Sequence, residues 1–545
     1  MVMLEVEKKR LESALNKKLS KKELEEVLFN MGLELEEFGS TLKVDVTADR
    51  PDIVSTIGFI RALKSYLFDE KIKKLKINKS NYKVIIDKSV KKVRPRSVAL
   101  VVKNLNLNDD LLKEIIWVQE KIHDTFGRKR KKVAIGIYPL DKIEFPISFE
   151  GVRNSDVKFA PLGFKEKLTR EDILEKTDAG KKYGDLLKES VSPLFLDKKR
   201  QVLSMPPIIN SESVGRVTTS TKDVFIECSG HDLLALNQTL NILAYLFSEM
   251  GDLYEVEIAD DKTFKSPNLV FEKRSITKTY VNNMLGTSFN SKEIGVLLTK
   301  MQYLVSKTSS DEVLFEVPPF RVDIWHDVDI VDDIARAYNI NKLEPEYPEV
   351  FCDSSLTKTT MLKEEVRDIL VGLGLAEHMS FSLTSTKHQF DYMNIKKTNY
   401  MKLGFAVDSN LNMVRVNLMP ELLKCLVGNR NKEYPQDVFE VNDVVINDEK
   451  SDVLCKNNSR ACVLLAGVRS YTDIKGVCDD LFNQLGLKVN YKSNNSGSFI
   501  EGRCASILVN NKEVGLIGEL HPKVLSNFGL IVPVVGFEVE LDELF

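Results

Sequence analysis

Along the first fifty residues the apolar positions follow a helical and then a strand period. Leu24, Val27, Leu28 and Met31 recur at i, i+3, i+4 and i+7 behind a Ser20–Glu23 capping pair, and Gly32 stops the run, so a helix is predicted there. Leu42–Thr47 alternates as a strand, and a second helix runs through Leu67 after the segment Ala48–Asp52. The Lys-rich stretch Lys71–Lys79 reads as a solvated linker. A second region, from about Arg94 to Asp261, carries strand patterns at Val98–Val102, Val133–Ile137, Val202–Ser204 and Val224–Cys228. Its helices are expected at Leu111–Phe126 and Asp232–Met250, the latter closed by Gly251. A third region, about Phe271–Pro348, holds an acidic cluster. From Thr357 onward a helix at Leu362–Leu373 precedes alternating runs at Val414–Asn417, Val438–Val441, Ala461–Gly467, Ala505–Val509, Val514–Gly518 and Val534–Val539, which predict a largely antiparallel sheet. The class that follows is a multidomain α+β chain without repeats.

Length agrees, since 545 residues exceed what one core of about 250–300 residues usually holds. The 77 basic and 80 acidic residues leave a net charge of −3, which excludes a nucleic-acid coat and confines RNA contacts to local patches. No apolar run reaches the ~18 residues of a membrane helix, and the first twenty residues are charged throughout. The expectation is a cytoplasmic chain without a membrane partner. Cys228, Cys352, Cys425, Cys455, Cys462, Cys478 and Cys504 are odd in number, scattered, and never spaced as C-x-x-C, so buried reduced thiols are expected rather than disulfides or zinc.

Three segments could carry chemistry. In Pro319–Ile334, Asp329, Asp332 and Asp333 stand at i, i+3 and i+4 of a helix, and Asp323 ends the preceding strand. Convergent carboxylates suit a hard cation such as magnesium; alternatively, acids simply favour the positive end of a helix. Arg128–Lys132 is either a grip for RNA phosphates or a solvated turn, and His123 nearby reads as structural. Leu203–Ser211, with its Pro206–Pro207 pair, and Asp223–Asp232 place Glu227 and Ser229 at the end of an apolar strand, where they would face a pocket; Asp232 is expected to N-cap the following helix. No Walker loop, strand-linked G-x-G-x-x-G, H-E-x-x-H or G-x-S-x-G occurs.

These residues resemble, in order and over nearly the whole chain, the β subunits of phenylalanyl-tRNA synthetases of the archaeal/eukaryotic type, closest to the archaeal form. Pro318–Asp323 with Asp329-x-x-Asp332-Asp333-Ile334-Ala335-x-Ala337-Tyr338 resembles their B-five domain. Leu203–Asn210 with Phe225–Asp232, together with Arg94-Pro95, Lys132–Gly136 and Ala160–Phe164, is similar to their editing (B-three/B-four) domain. Thr47–Asp52 resembles the end of the N-terminal domain. Asn429-x-x-x-Glu433-Tyr434-Pro435, Val438-Phe439-Glu440, Gly518–Pro522 and Glu538 resemble the class II synthetase-like C-terminal domain. The resemblance implies an N-terminal domain over 1–80, an editing domain over 90–262, a magnesium-binding B-five domain over 269–348 and a catalytic-like domain over 355–545.

It further implies a partnership of two α with two β subunits acting on tRNA(Phe). It implies that ATP-dependent attachment of phenylalanine takes place in α; consistent with this, residues 357–545 show no arginine-centred ATP motif, Arg415 and Arg430 being isolated. The editing domain would hydrolyse mischarged Tyr-tRNA(Phe), since an apolar pocket rejects one added hydroxyl poorly. Its pocket is implied to comprise Leu203, Ser204, Asn210, Glu227 and Ser229, with Glu227 on the tyrosine phenol. Asp323, Asp329, Asp332 and Asp333 are implied as magnesium ligands. Ser229-Gly230-His231-Asp232 replaces the Thr-Gly-Thr-Asp of relatives, and Ser211 replaces a glycine and adds bulk beside the pocket. The runner-up is a free-standing editing hydrolase; a non-catalytic nucleic-acid scaffold fits the near-neutral charge poorly.

Overall fold

The computed structural model describes residues 2–347, 354–406 and 408–544. The chain divides into two compact units, Met1–Tyr347 and Pro348–Phe545. Among the described residues no helix is long and apolar enough to cross a membrane. Cys228, Cys462, Cys478 and Cys504 are buried free thiols, Cys425 and Cys455 are half-buried, and Cys352 lies outside the described residues.

The first unit opens with a three-stranded antiparallel sheet in the order Val2–Glu7, Thr41–Val46, Glu34–Phe38. The helix Lys21–Asn30 starts where the sequence placed it: Ser20 accepts from the Glu23 N–H, and the Glu23 carboxylate accepts from the Ser20 N–H in return. Gly32 takes φ +74°, which ends the helix at little steric cost. The strand Val2–Glu7 and helix Lys8–Leu15 ahead of it were not expected from the pattern.

The middle of this unit stacks two sheets. A four-stranded antiparallel sheet runs Asp252–Tyr254, Arg96–Lys103, Val224–Gly230, Val133–Pro139. A seven-stranded mixed sheet runs Ile209–Asn210, Val202–Met205, Val191–Leu196, Ile147–Arg153, Lys83–Ile86, Val256–Ala259, Thr263–Ser266. Because side chains alternate along a strand, Val224–Gly230 serves both faces of the smaller sheet. Ile226 and Cys228 pack with Val118 and Ile122 of helix Asp109–Asp124 and with Leu236 and Leu240 of helix Leu233–Phe247. Phe225 faces the other way, onto Phe149, Phe195 and Leu203 of the seven-stranded sheet. Glu227 and Ser229 share the parity of Phe225, so two polar groups are carried into the space between the sheets. Asp232 caps the second helix by accepting from the Leu234 N–H at 3.0 Å, as expected.

Residues 272–338 complete the unit. Strands Glu272–Thr277, Glu312–Val317 and Leu304–Thr308 pair in that order, and helices Lys278–Leu285, Ser291–Lys300 and Asp327–Tyr338 bury Val281, Ile294, Leu298, Ile330 and Ile334 with them.

The second unit is a seven-stranded sheet in the order Ala376–Glu377, Gln436–Asn447, Cys455–Ala466, Val534–Glu540, Lys512–Leu520, Phe499–Val509, Val489–Ser493. Every pair is antiparallel except the first. Helices Lys358–Gly372 and Tyr471–Gln484 cover one face, and Met419–Gly428 and Pro522–Phe528 the other. The run Val414–Asn417 does not join this sheet: only Met413–Val414 is extended, and it pairs with Leu383–Thr384 in a separate ribbon. The molecule as a whole is a mixed α+β multidomain chain.

Candidate active site

Where the edge strand Val133–Pro139 meets the Leu203–Asn210 segment, a cavity of about 440 Å³ opens in the first unit. Ile115, Ile116, Ile135, Ile137 and Ile208 give it largely apolar walls, and Ser204, Asn210 and Glu227 bring polar atoms to it. Pro206 and Pro207, joined by a cis peptide bond, form part of the rim. Of the five residues expected to build a pocket, three line it. Leu203 is fully buried in the core between the sheets, and Ser229 is fully buried with its hydroxyl accepting from Arg94 Nε at 3.0 Å; neither is part of the wall. Ser211 is also buried outside the wall, its hydroxyl 3.2 Å from that of Ser213, so the bulk it adds does not enter the cavity.

Glu227 is the centre of the arrangement. Its strand register sets it opposite Ala99 on one side and Gly136 on the other. A Cβ at position 136 would collide with the Tyr138 hydroxyl and with Glu227 Oε1, so glycine is what leaves room for both. The Tyr138 hydroxyl bridges Ser204 Oγ, 2.7 Å away, and Glu227 Oε1, 3.2 Å away. Glu227 Oε2 is buried and has no partner. Burial pushes the Glu227 carboxyl up to about 8, against the opposing pull of the Arg94 guanidinium. Arg94 is itself brought down to about 10 by burial, with Glu227 acting the other way. The carboxyl is therefore mostly protonated at neutral pH, and the cavity holds a neutral acid whose free oxygen suits a hydroxyl-bearing ligand.

The basic run is a turn with Arg128, Lys129 and Lys131 exposed, as one of the two sequence readings expected, and Arg130 departs from it. Arg128, Lys129 and Arg130 all take positive φ in a tight turn, which aims Arg130 back at the cavity rim. Its Nη1 donates to the carbonyls of Pro207 (3.3 Å) and Ile208 (2.8 Å), its Nη2 donates to Glu120 Oε1 (2.9 Å), and its guanidinium lies over the Tyr183 ring. Arg130 is thus a brace for the wall. His123 is structural, as expected: Nε2 accepts from the Ile135 N–H at 2.8 Å, which leaves the proton on Nδ1 facing Glu120, and burial lowers its pKa. Tyr138, Gly136 and Arg130 were not singled out as site residues. A glycine inside an otherwise apolar strand was the one available signal.

The four aspartates that the sequence offered as magnesium ligands do not converge in this structure. Among the described residues no three His, Cys, Asp or Glu side chains gather in a way that could hold a metal ion. Arg321 is the reason for two of them. This fully buried guanidinium donates to Asp323 Oδ1 (2.9 Å) and Oδ2 (2.7 Å) and to Asp333 Oδ2 (2.6 Å), which also accepts from the Tyr303 hydroxyl at 2.7 Å. Burial alone would raise the Asp323 carboxyl, yet Arg321 holds it at about 2. Asp329 Oδ2 instead accepts from the N–H groups of Trp325 and His326 at the helix start, which is the alternative the sequence left open. Asp332 points outward to Arg336 Nε at 2.8 Å. Asp323 and Asp333 share Arg321, and Asp329 and Asp332 each have a separate partner, so the set as arranged does not gather round a magnesium ion.

The profile of the Phe-tRNA synthetase beta subunit B1 domain matches residues 1–70, that of the tRNA synthetase B5 domain residues 274–340, and that of the phenylalanyl tRNA synthetase beta chain CLM domain residues 343–541. The phenylalanine–tRNA ligase β subunit of Pyrococcus horikoshii is 37% identical over 556 aligned residues, covering 100% of both chains, and that of Pyrococcus furiosus is 36% identical with the same coverage. The crystal structure of an N-terminal fragment of the phenylalanyl-tRNA synthetase β-subunit from Pyrococcus horikoshii matches with a TM-score of 0.59 and 37% identity, covering 62% of this chain and 99% of the fragment. These relatives are ligase subunits, and the free-standing hydrolase finds no support among them. The chain belongs to the family of phenylalanine–tRNA ligase β subunits.

Proposed function

We propose that the cavity around Glu227 is an editing site that hydrolyses Tyr-tRNA(Phe), within a β subunit that works with an α subunit and tRNA. The observation that carries this reading is the buried Glu227 carboxyl with Oε2 unpartnered in an otherwise apolar cavity. A tyrosyl phenol supplies the hydrogen-bonding group that this oxygen lacks; a phenylalanyl ring leaves the oxygen unpaired, which disfavours binding of the correct amino acid. Asn210 and Ser204 on the wall orient the rest of the substrate. Water adds to the ester carbonyl, the ester C–O bond breaks, and tyrosine and the tRNA are released with the esterified oxygen leaving as a hydroxyl; the neighbouring free hydroxyl of the terminal ribose helps to activate the water.

The second unit supports the division of labour. Arg415 is fully buried and paired with Glu440 at 2.8 Å, and Arg460 is paired with Glu538 at 3.0 Å, so neither is free for ATP. We read this unit, over 355–545, as a class II synthetase-like domain that has lost its own activation site. Largely exposed Met379, Phe381 and Phe405 offer apolar surface for α, in a complex of two α and two β subunits in the cytoplasm. The remaining domains are assigned as 1–80, 90–262 (editing) and 269–348. The boundary residue Pro348 lies outside the described residues. The ATP and magnesium that ligases of this family use are assigned to charging in α, not to the four aspartates here.

The test is Glu227→Ala in the α/β complex. Leaving the substrate phenol buried without its partner costs about 1–3 kcal/mol, so Tyr-tRNA(Phe) hydrolysis should fall roughly five- to 150-fold while phenylalanine charging holds. Unchanged hydrolysis would overturn the reading, and a parallel loss of charging would point to misfolding instead.

A further inference from the structure

Tyr138 is fully buried and forms no part of the cavity wall, yet its hydroxyl lies 3.2 Å from Glu227 Oε1. The strand pairing explains how it gets there. Tyr138 pairs with Phe225 and Gly136 with Glu227 on adjacent strands, so reaching Glu227 requires a diagonal path across position 136. The missing side chain of Gly136 opens that path. The ring is held on one side by Phe225, with centroids 6.0 Å apart and planes 27° from parallel. The hydroxyl is fixed at its far end by Ser204 at 2.7 Å. A rigid phenol therefore occupies one oxygen of the carboxyl and leaves the other, Oε2, buried and without a partner on a residue that lines the cavity.

We propose that Tyr138 is a positioning residue for this site: its phenol holds Glu227 Oε1, and so presents Oε2 to the phenol of the tyrosyl substrate. The proposal rests on the reading of the cavity as an editing site and deepens it. A carboxyl held at one oxygen has a fixed direction for the other, and it also has a fixed protonation pattern. With Oε1 accepting from Tyr138, the acid proton in the neutral form sits on Oε2, facing the ligand. Without the clamp the carboxyl turns freely and offers either oxygen, at the entropic cost of ordering it again for each substrate.

Tyr138→Phe removes one oxygen atom and keeps the ring packing. In the α/β complex we expect Tyr-tRNA(Phe) hydrolysis to fall roughly three- to tenfold, the size of one neutral hydrogen bond, with phenylalanine charging on the same preparation unchanged. A second readout separates positioning from packing. The Tyr138 hydrogen bond favours the ionised carboxyl, so its loss should move the pH midpoint of hydrolysis upward. The other ionisable groups around the carboxyl and its cavity are Arg94, ahead of strand Arg96–Lys103, His123 and Glu120 on helix Asp109–Asp124, and Arg130 and Arg216 on the wall; all are retained in the variant. A Tyr138→Phe complex with wild-type rate and midpoint, alongside a defective Glu227→Ala, would overturn the proposal and leave the editing reading standing. Faster hydrolysis would also overturn it, by making Tyr138 a competitor of the substrate phenol. If Glu227→Ala itself hydrolyses normally, both fall.

Discussion

Arg130 Nη1 donates to the carbonyl of Ile208 at 2.8 Å, joining a tight basic turn to a wall of the cavity that lies 78 residues further along the chain. Charge-assisted bonds of this kind contribute about 1.5–3 kcal/mol each when buried. Arg130→Ala should therefore lower the unfolding midpoint of the full chain and reduce Tyr-tRNA(Phe) hydrolysis by loosening the Pro206–Ile209 segment. The neighbouring Lys131→Ala should do neither. If Arg130 instead gripped RNA phosphates, its loss would flatten the salt dependence of tRNA affinity by about one unit of slope. An unchanged slope together with slower hydrolysis would support the brace.

Glu227 makes a second prediction through pH. Its folded-state pKa of about 8 lies above its ordinary value of 4.5, with burial as the cause. The folded chain thus binds this proton more tightly than the unfolded chain. The stability it contributes is fully present below about 4.5 and is lost as pH rises toward 8. Across that window the loss is on the order of a few kcal/mol. Glu227→Gln stays neutral throughout, so its denaturation midpoint should fall less between pH 5 and pH 8 than that of the wild type. Parallel curves for the two proteins would mean that Glu227 is not held protonated.

Much of this site was legible in the sequence, and the omissions have physical causes. Apolar alternation located the strand Val224–Gly230, and its parity put Glu227 and Ser229 on the side of Phe225, between the sheets. Which polar group would reach which was not legible, because Tyr138 and Ser204 come from strands whose pairing is non-local. Gly136 was the one local hint of a close approach. The strand Val2–Glu7 was missed because its alternation runs without a break into the helix Lys8–Leu15. In the aspartate cluster, helical spacing put Asp329, Asp332 and Asp333 on one helix, but their carboxylates turn to different partners. The pattern Arg321-x-Asp323 was overlooked, and a buried arginine must be neutralised by the nearest acids before any cation can be.

That arginine supplies the third prediction. Arg321→Met removes the positive charge shared by Asp323 and Asp333 and leaves two buried carboxylates uncompensated, at a cost of about 3–5 kcal/mol. Asp332→Asn breaks only a half-exposed pair with Arg336, worth about 0–1 kcal/mol after solvent screening. A melting experiment on the full chain should show a large drop for the first and little for the second, and a chelator should leave the wild-type transition where it was. Equal sensitivity of both variants to added magnesium, with stabilisation of the wild type by millimolar metal, would restore the metal reading.

The last prediction concerns the second unit alone. Activating phenylalanine requires a site that stabilises the charge on a triphosphate, and that takes several unpaired cationic donors converging on one cleft. In the seven-stranded unit five of the six arginines are already committed, and the sixth, Arg430, is exposed at the end of helix Met419–Gly428. Arg415 donates to Glu440, Ser380 and the Asp443 carbonyl; Arg460 donates to Glu538 and Asn417; Arg367, Arg469 and Arg503 pair with Glu377, Asp437 and Glu519. Freeing Arg415 would strand Glu440 in the core, which costs more than a phosphate contact returns. Purified on its own, the chain should therefore give only background phenylalanine-dependent exchange between pyrophosphate and ATP, and addition of an α subunit should bring exchange up by orders of magnitude. Exchange by the isolated chain, abolished by Arg415→Met or Arg460→Met, would place an activation site in this unit and refute the assignment.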